Sequence, residues 1–259
     1  MLGLLWTVAT ETALGAEETT LEAWQLGKEA RFAQALAAAP AQSTDEDVRF
    51  TRAVLLYYQQ QKTPEMYAEG TAIFADLADN GSTDEVRARF WARAEDMKIT
   101  GEDSALAVEL YGRLWKEYPH LAFGQRALVH LLLRVFYSEE SRDELLSRVN
   151  ELEQAATGIT DPIVRSHFHH VAARGYLNLK ESEAKALDHL LAVDVATIAR
   201  REGRGDLYVS IGQLAAEVNR SGIAREYFDL FLQEFPLDTR AYTVRALRDA
   251  LPVDEEVER

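Results

Sequence analysis

The sequence predicts an all-α protein, and three observations carry that expectation. Glycine and proline are scarce, with 14 Gly and 6 Pro among 259 residues, together about 8% where an average chain has ~12%. Helix interiors exclude both, Gly for its backbone entropy and Pro for its missing N–H and ring clash. Each of the 6 prolines stands where a helix should begin or end. No stretch sustains the apolar–polar alternation of a strand. At 47% hydrophobic residues the chain can bury a sizeable core, and its length suits one large or two small domains.

Composition also narrows the function classes. The net charge is −15, from 28 Lys+Arg against 43 Asp+Glu. That balance lacks the basic footprint of a nucleic-acid binder and disfavours anionic membrane surfaces. With 0 Cys there is no disulfide, thiolate metal site or cysteine nucleophile, and no acceptor for a lipid anchor within this sequence.

Taken in order, the first segment has two readings. Met1 to Thr10 is uncharged and too short to span a bilayer, which takes ~20 residues. Ala13-Leu14-Gly15 offers the small-x-small pattern of a signal-peptide cleavage site, although no Lys or Arg precedes Lys28. Leu2, Leu5, Ala9 and Ala13 also share one face of a helix. Residues 1–15 are therefore a signal peptide or a first helix. Export to the periplasm is preferred to a cytoplasmic location, and 16–259 form the helical domain.

Capping and stop signals place the remaining helices. A first runs over 20–38, opened by Thr19…Glu22 and stopped by Pro40. Ser43…Glu46 opens 45–61, and Thr63-Pro64 opens 64–79, which ends at Asn80-Gly81. Ser82…Glu85 opens 84–98, while 103–117 closes at Pro119. Helices 121–137 and 142–157 follow, the second opened by Ser141…Glu144; Asp161-Pro162 then opens 162–180. Ser182 caps 183–193. The last three are 206–219, 222–235 and 239–250, closed in turn by Pro236 and Pro252. Glu202 to Asp206, EGRGD, reads as the loosest connection.

Many short helices with short loops make a bundle or a repeat array, so self-similarity decides. In residues 205–238, Tyr208, Ile211, Gly212 and Ala215 share a face of one helix, with Ala224, Phe228 and Phe231 on the next and Pro236 after it. Residues 88–121 place Trp91, Ala94, Ala107, Tyr111, Leu114 and Pro119 in the same roles, with Glu95 at the small position. A looser copy has Phe168, Val171, Ala172, Ala184 and Leu191, with Asp188 at the aromatic site. Earlier segments, Trp24 to Pro40 and Val54 to Leu77, keep only the rhythm.

This pattern resembles the tetratricopeptide repeat, whose ~34-residue unit runs large apolar, apolar, Gly or Ala, then Ala, aromatic and Pro. The interval from Pro119 to Pro236 exceeds three such units, so the repeats are irregular. The resemblance implies an α-α superhelix (solenoid) of about six antiparallel hairpins, and a non-catalytic scaffold or adaptor that binds another protein or peptide in a concave groove. The groove positions it implies are Arg89, Ala92, Asp96 and Ile99 in one repeat and Asp206, Val209, Gln213 and Glu217 in the other. Members that clamp carboxylates carry Lys and Asn there, so this mixed, somewhat acidic groove implies a neutral or basic segment. The ends LWKEYP and LQEFP also resemble envelope variants of the repeat, found in outer-membrane-assembly and Tol-associated proteins, which makes an exported assembly factor the alternative.

Chemical motifs are few. His167 and His170 are one helical turn apart and could share a metal with Asp188 or His189, the basis of a metal-dependent enzyme. No His-Glu-x-x-His pattern accompanies them, so packed or solvated histidines, with no cofactor or metal, are the expectation. Ser182-x-x-Lys185 has the spacing of penicillin-recognising enzymes without their companion motifs; a helix cap explains Ser182 better. The Arg204-Gly205-Asp206 tripeptide reads as loop. No integral membrane segment is expected, and composition leaves the oligomeric state open.

Overall fold

The computed structural model describes residues 18–59, 62–100, 104–138 and 141–252. It is all-helical, with no strand among the described residues. The chain divides into two compact units, Met1–Ala127 and Leu128–Arg259.

The first unit begins with α1 (Glu18–Lys28), α2 (Phe32–Ala38) and α3 (Glu46–Tyr58). Ala23, Ala35, Ala39, Val48 and Leu55 form their shared core, with Phe32 and Leu36 packed against it. The helix expected over 20–38 is two helices. Ala30 takes a left-handed backbone, φ 58°, and Arg31 N–H returns to Leu26 O at 2.9 Å while Ala30 N–H meets Gly27 O at 3.0 Å. That double bond pattern ends a helix and usually recruits glycine; Ala30 fills the place and so left no mark in the sequence. The opening signal at Thr19 lies outside the residues whose side chains are described.

Helix α4 (Pro64–Asn80) pairs with α3 as a hairpin. Tyr57 is the hub of this pair. Its hydroxyl meets Thr71 Oγ1 at 2.8 Å, its ring stacks on Tyr67 at 5.1 Å, and Gly70 leaves it room. Two ion pairs flank it, Arg49–Asp76 and Arg52–Glu69, each at 2.5 Å. A short α5 (Asp84–Arg87) and a 3-10 turn (Ala88–Phe90) lead into α6 (Trp91–Thr100), and then α7 (Ser104–Glu117). A row of rings links these helices, with Phe50 meeting Trp24, Phe74 and Trp91, and Trp91 stacking on Phe123 at 4.8 Å.

Helix α8 (Ala122–Phe136) contains the division between the units. The second unit continues with α9 (Arg142–Ala156), α10 (Pro162–Asn178), α11 (Glu183–Leu191), α12 (Arg201–Glu217), α13 (Ser221–Glu234) and α14 (Ala241–Asp249). Phe136 lies over Gly175, where a Cβ would fall 2.2 Å from the ring. Only glycine lets α8 and α10 approach so closely.

Most boundary signals hold, and the exceptions have local causes. Thr63, Asp161 and Ser182 cap their helices through side-chain acceptors, and Glu144 accepts from both the N–H and hydroxyl of Ser141. Asp45 and Thr83 take the cap roles expected of Ser43 and Ser82. Ser82 instead gives its N–H and hydroxyl to Glu46 at 2.8 and 2.5 Å, tying the α4–α5 turn to the start of α3. The EGRGD segment is not a loop but the first turns of α12. Gly205 is buried there with the edges of Phe231 and Phe235 near it, so packing overrides poor helix propensity.

Candidate functional site

The α12–α13 hairpin builds the first candidate surface. Tyr208, Ile211, Gly212 and Ala215 face inward from α12, and Ala224, Phe228 and Phe231 meet them from α13. A Cβ on Gly212 would lie 2.4 Å from the Phe228 ring. The absent side chain is what admits that ring. Turned away from this core are Asp206, Val209, Gln213 and Glu217, a stripe at three- and four-residue spacing that lies on one helix face. Val209 is half-buried and the other three are exposed. Asp206 is held by Arg240 at 2.6 Å, and Arg240 is fixed by Asp238 at 3.0 Å, which holds the Asp238 carboxyl down to about 2.

Of the corresponding positions in the first unit, the side chains of Arg89 and Ala92 are described. Ala92 is buried at 1% exposure, a correction that follows from its packing inside the unit beside Trp91 and Ala94. Arg89 turns onto α3, where it pairs with Asp47, donates to Glu46 O at 3.1 Å and covers the Phe50 ring at 5.0 Å. The side chains of Asp96 and Ile99 lie outside the described residues.

Glu95, at the small position of this hairpin, accepts a hydrogen bond from Tyr111 Oη at 3.0 Å. Burial and then the Glu95 charge push the Tyr111 phenol far above its ordinary value, so it stays a donor. A polar bond thus replaces the glycine–ring contact of α12–α13.

The histidines separate into two sets. His169, not His167 or His170, meets His189, their Nδ1 atoms 2.9 Å apart. His189 Nε2 lies 3.0 Å from Glu153 Oε1, which also accepts from Tyr176 Oη at 2.7 Å. Lys185 Nζ closes the network 3.4 Å from that hydroxyl. One proton must sit between the two Nδ1 atoms, so the bond fixes complementary tautomers. Burial first, then the neighbouring His189 and Arg165 charges, lower the His169 pKa. Burial raises Glu153, but its bonds from His189 and Tyr176 outweigh that and hold its carboxyl low.

His167 and His170 instead border a pocket of about 180 Å³ between α8 and α10. Leu133 and Phe136 of α8 and Tyr137 just after it line one side, and Arg174 and Asn178 complete its polar edge on α10. Burial, and secondarily Arg174, lowers the His170 pKa. His189 faces His169 and Asp188 is paired with Arg220 at 2.7 Å, so neither joins His167 and His170. Among the described residues no three His, Cys, Asp or Glu side chains converge on a metal position. Ser182 Oγ accepts from Lys185 N–H at 3.1 Å, while Lys185 Nζ points to Tyr176; the Ser-x-x-Lys spacing is a cap.

No protein-family model and no curated protein matches this sequence. Among the described residues no helix is long and apolar enough to cross a membrane.

Glu153, Tyr176 and the α8 wall of the pocket were not legible as site residues. One signal was available for the α10 wall: His167, His170, Arg174 and Asn178 recur every three or four residues. The opposite face of that helix carries Val164, Phe168 and Ala172, all buried.

Proposed function

We propose that the chain is a non-catalytic protein-binding scaffold of tetratricopeptide-like hairpins, arranged as an α-α superhelix, that takes a neutral or basic protein segment on the α12 face. The observation that carries this reading is the α12–α13 hairpin. Gly212, Ala224 and Phe228 occupy the small, small and aromatic roles of the repeat, and the glycine admits the ring. Of the first-helix stripe, Gln213 and Glu217 are exposed, while Asp206 is held by Arg240. Glu217 biases that stripe toward cations, while half-buried Val209 gives it an apolar centre. The histidines lend no support to chemistry: they hydrogen-bond within the fold or border a pocket without carboxylates.

The test is affinity capture from the native host with wild type and Gln213→Arg, an exposed change that leaves the core alone. A partner retained by wild type and lost with Gln213→Arg, at unchanged circular dichroism, supports the assignment. Absence of any reproducible protein partner contradicts it.

A further inference from the structure

We infer that the groove between α8 and α10 docks an acidic amphipathic helix of a partner protein, an assignment that rests on the protein-binding reading above and adds a second surface to it. The first observation is the outer stripe of α10. Ile163, His167, His170, Arg174 and Leu177 are spaced four, three, four and three apart, and all are exposed. That is the 3.5-residue period by which one helix packs along another. Ile163 is 61% and Leu177 40% exposed, so both ends of the stripe are apolar and uncovered. From the first to the last of these residues the helix rises about 21 Å, roughly four turns.

The second observation is the facing wall. Tyr137, 69% exposed, stands with Leu133 and Phe136 on the α8 side of the pocket. At about 180 Å³ the pocket is smaller than the ~300–1,000 Å³ of small-molecule sites. It suits one inserted side chain of a larger partner.

Charge selects the partner. The polar lining is His167, His170, Arg174 and Asn178, with no carboxylate among the lining residues, in a chain of net charge −15. Arg142, Arg204, Arg220 and Arg240 of the same unit are each ion-paired. The Arg174 side chain, like those of Arg134 and Arg165, has neither an ion pair nor a hydrogen bond among the described residues. An incoming helix therefore places an apolar knob in the pocket and an Asp or Glu opposite Arg174, where a guanidinium grips a carboxylate through two parallel bonds.

Two end-blocked synthetic 18-residue amphipathic peptides test this, alike in their leucine seam but carrying Glu or Lys beside it. Fluorescence anisotropy would measure each against wild type, Arg174→Glu, Tyr137→Arg and the control Arg245→Glu, an exposed site on α14. The Glu peptide is expected to bind wild type at least about tenfold tighter than the Lys peptide, a difference of the size set by one charged contact. Arg174→Glu should reverse that order, Tyr137→Arg should weaken both, and Arg245→Glu should change nothing. Failure of both peptides to bind, equal binding of the two, or equal loss with Arg245→Glu overturns the assignment. So does a wild-type dimer in sedimentation that Arg174→Glu makes monomeric, since the occupant is then a second copy. A failure here with Gln213-dependent partner capture intact removes this groove and leaves the scaffold reading standing.

Discussion

Two neighbouring hairpins of the second unit solve the same packing problem by opposite means. In α12–α13 a missing side chain, Gly212, receives the Phe228 ring, and the contact is entirely apolar. In α10–α11 the corresponding region is filled by Tyr176, His189 and His169, joined to Glu153 of α9 through hydrogen bonds of 2.7 to 3.0 Å. The apolar contact works by shape and does not depend on pH. The polar one needs every proton in place, because an unmatched buried donor or acceptor costs more than a made bond contributes. The first is a frame; the second is a frame that titrates.

The largest expected effect breaks the apolar member. Phe228→Ala empties the space beside Gly212 and should cost about 3–5 kcal/mol by the cavity rule, read as a lowered urea midpoint. Gly212→Ala attacks the same contact from the other side. Its Cβ would sit 2.4 Å from the ring, and overpacking of this kind costs about 1–3 kcal/mol. An unchanged midpoint for Gly212→Ala would show that α12 and α13 are farther apart than described.

The intermediate case sharpens the contrast. In α6–α7 the Tyr111–Glu95 bond stands where α12–α13 has glycine and ring. Tyr111→Phe should cost about 1–3 kcal/mol by leaving the Glu95 carboxylate short of a donor, and the double variant Tyr111→Phe/Glu95→Leu should recover part of that loss.

The polar member should respond to acid. The His169 pKa is lower folded than unfolded, so protonation favours the unfolded chain. Its contribution is held in full above the ordinary value of 6.5 and lost as pH falls through the lowered one. Urea titrations should show stability falling below pH 6.5, with a slope of at most about 1.4 kcal/mol per pH unit for this one proton. His169→Phe should flatten that part of the profile. The smallest effect belongs to the helix cap: Ser141→Ala removes one partner of Glu144 and should cost about 1 kcal/mol.

The same comparison explains what could be read from residues alone. Proline marks and the Thr63, Asp161 and Ser182 caps follow from local rules, and each is where the sequence predicts it; that the Phe228 ring lies on Gly212 is seen only in the structure. Three helix ends, at Ala30, Lys180 and Asn219, use left-handed backbones without glycine; the sequence places the ends near 180 and 219, whereas the break at Ala30 is revealed only by the surrounding bonds. EGRGD contains two glycines and reads as loop, but packing of Gly205 under Phe231 and Phe235 makes it helix. The histidine cluster drew notice as a set, yet which histidine meets His189 depends on the rotation of α10 against α11. Spacing along one helix does not contain that angle. Ala92 was misplaced on a groove for a similar reason, because the repeat template fixes a face but not what packs over it.

The central claim, that a rigid hairpin presents the α12 stripe to a protein partner, has a direct test. A photo-crosslinking amino acid placed at Gln213, with the same group at Tyr242 of α14 as reference, would be irradiated in host cells. One discrete adduct with another polypeptide is expected from position 213 and none of that mass from 242. The same adducts from both positions, or none from 213 at full expression, would contradict the claim.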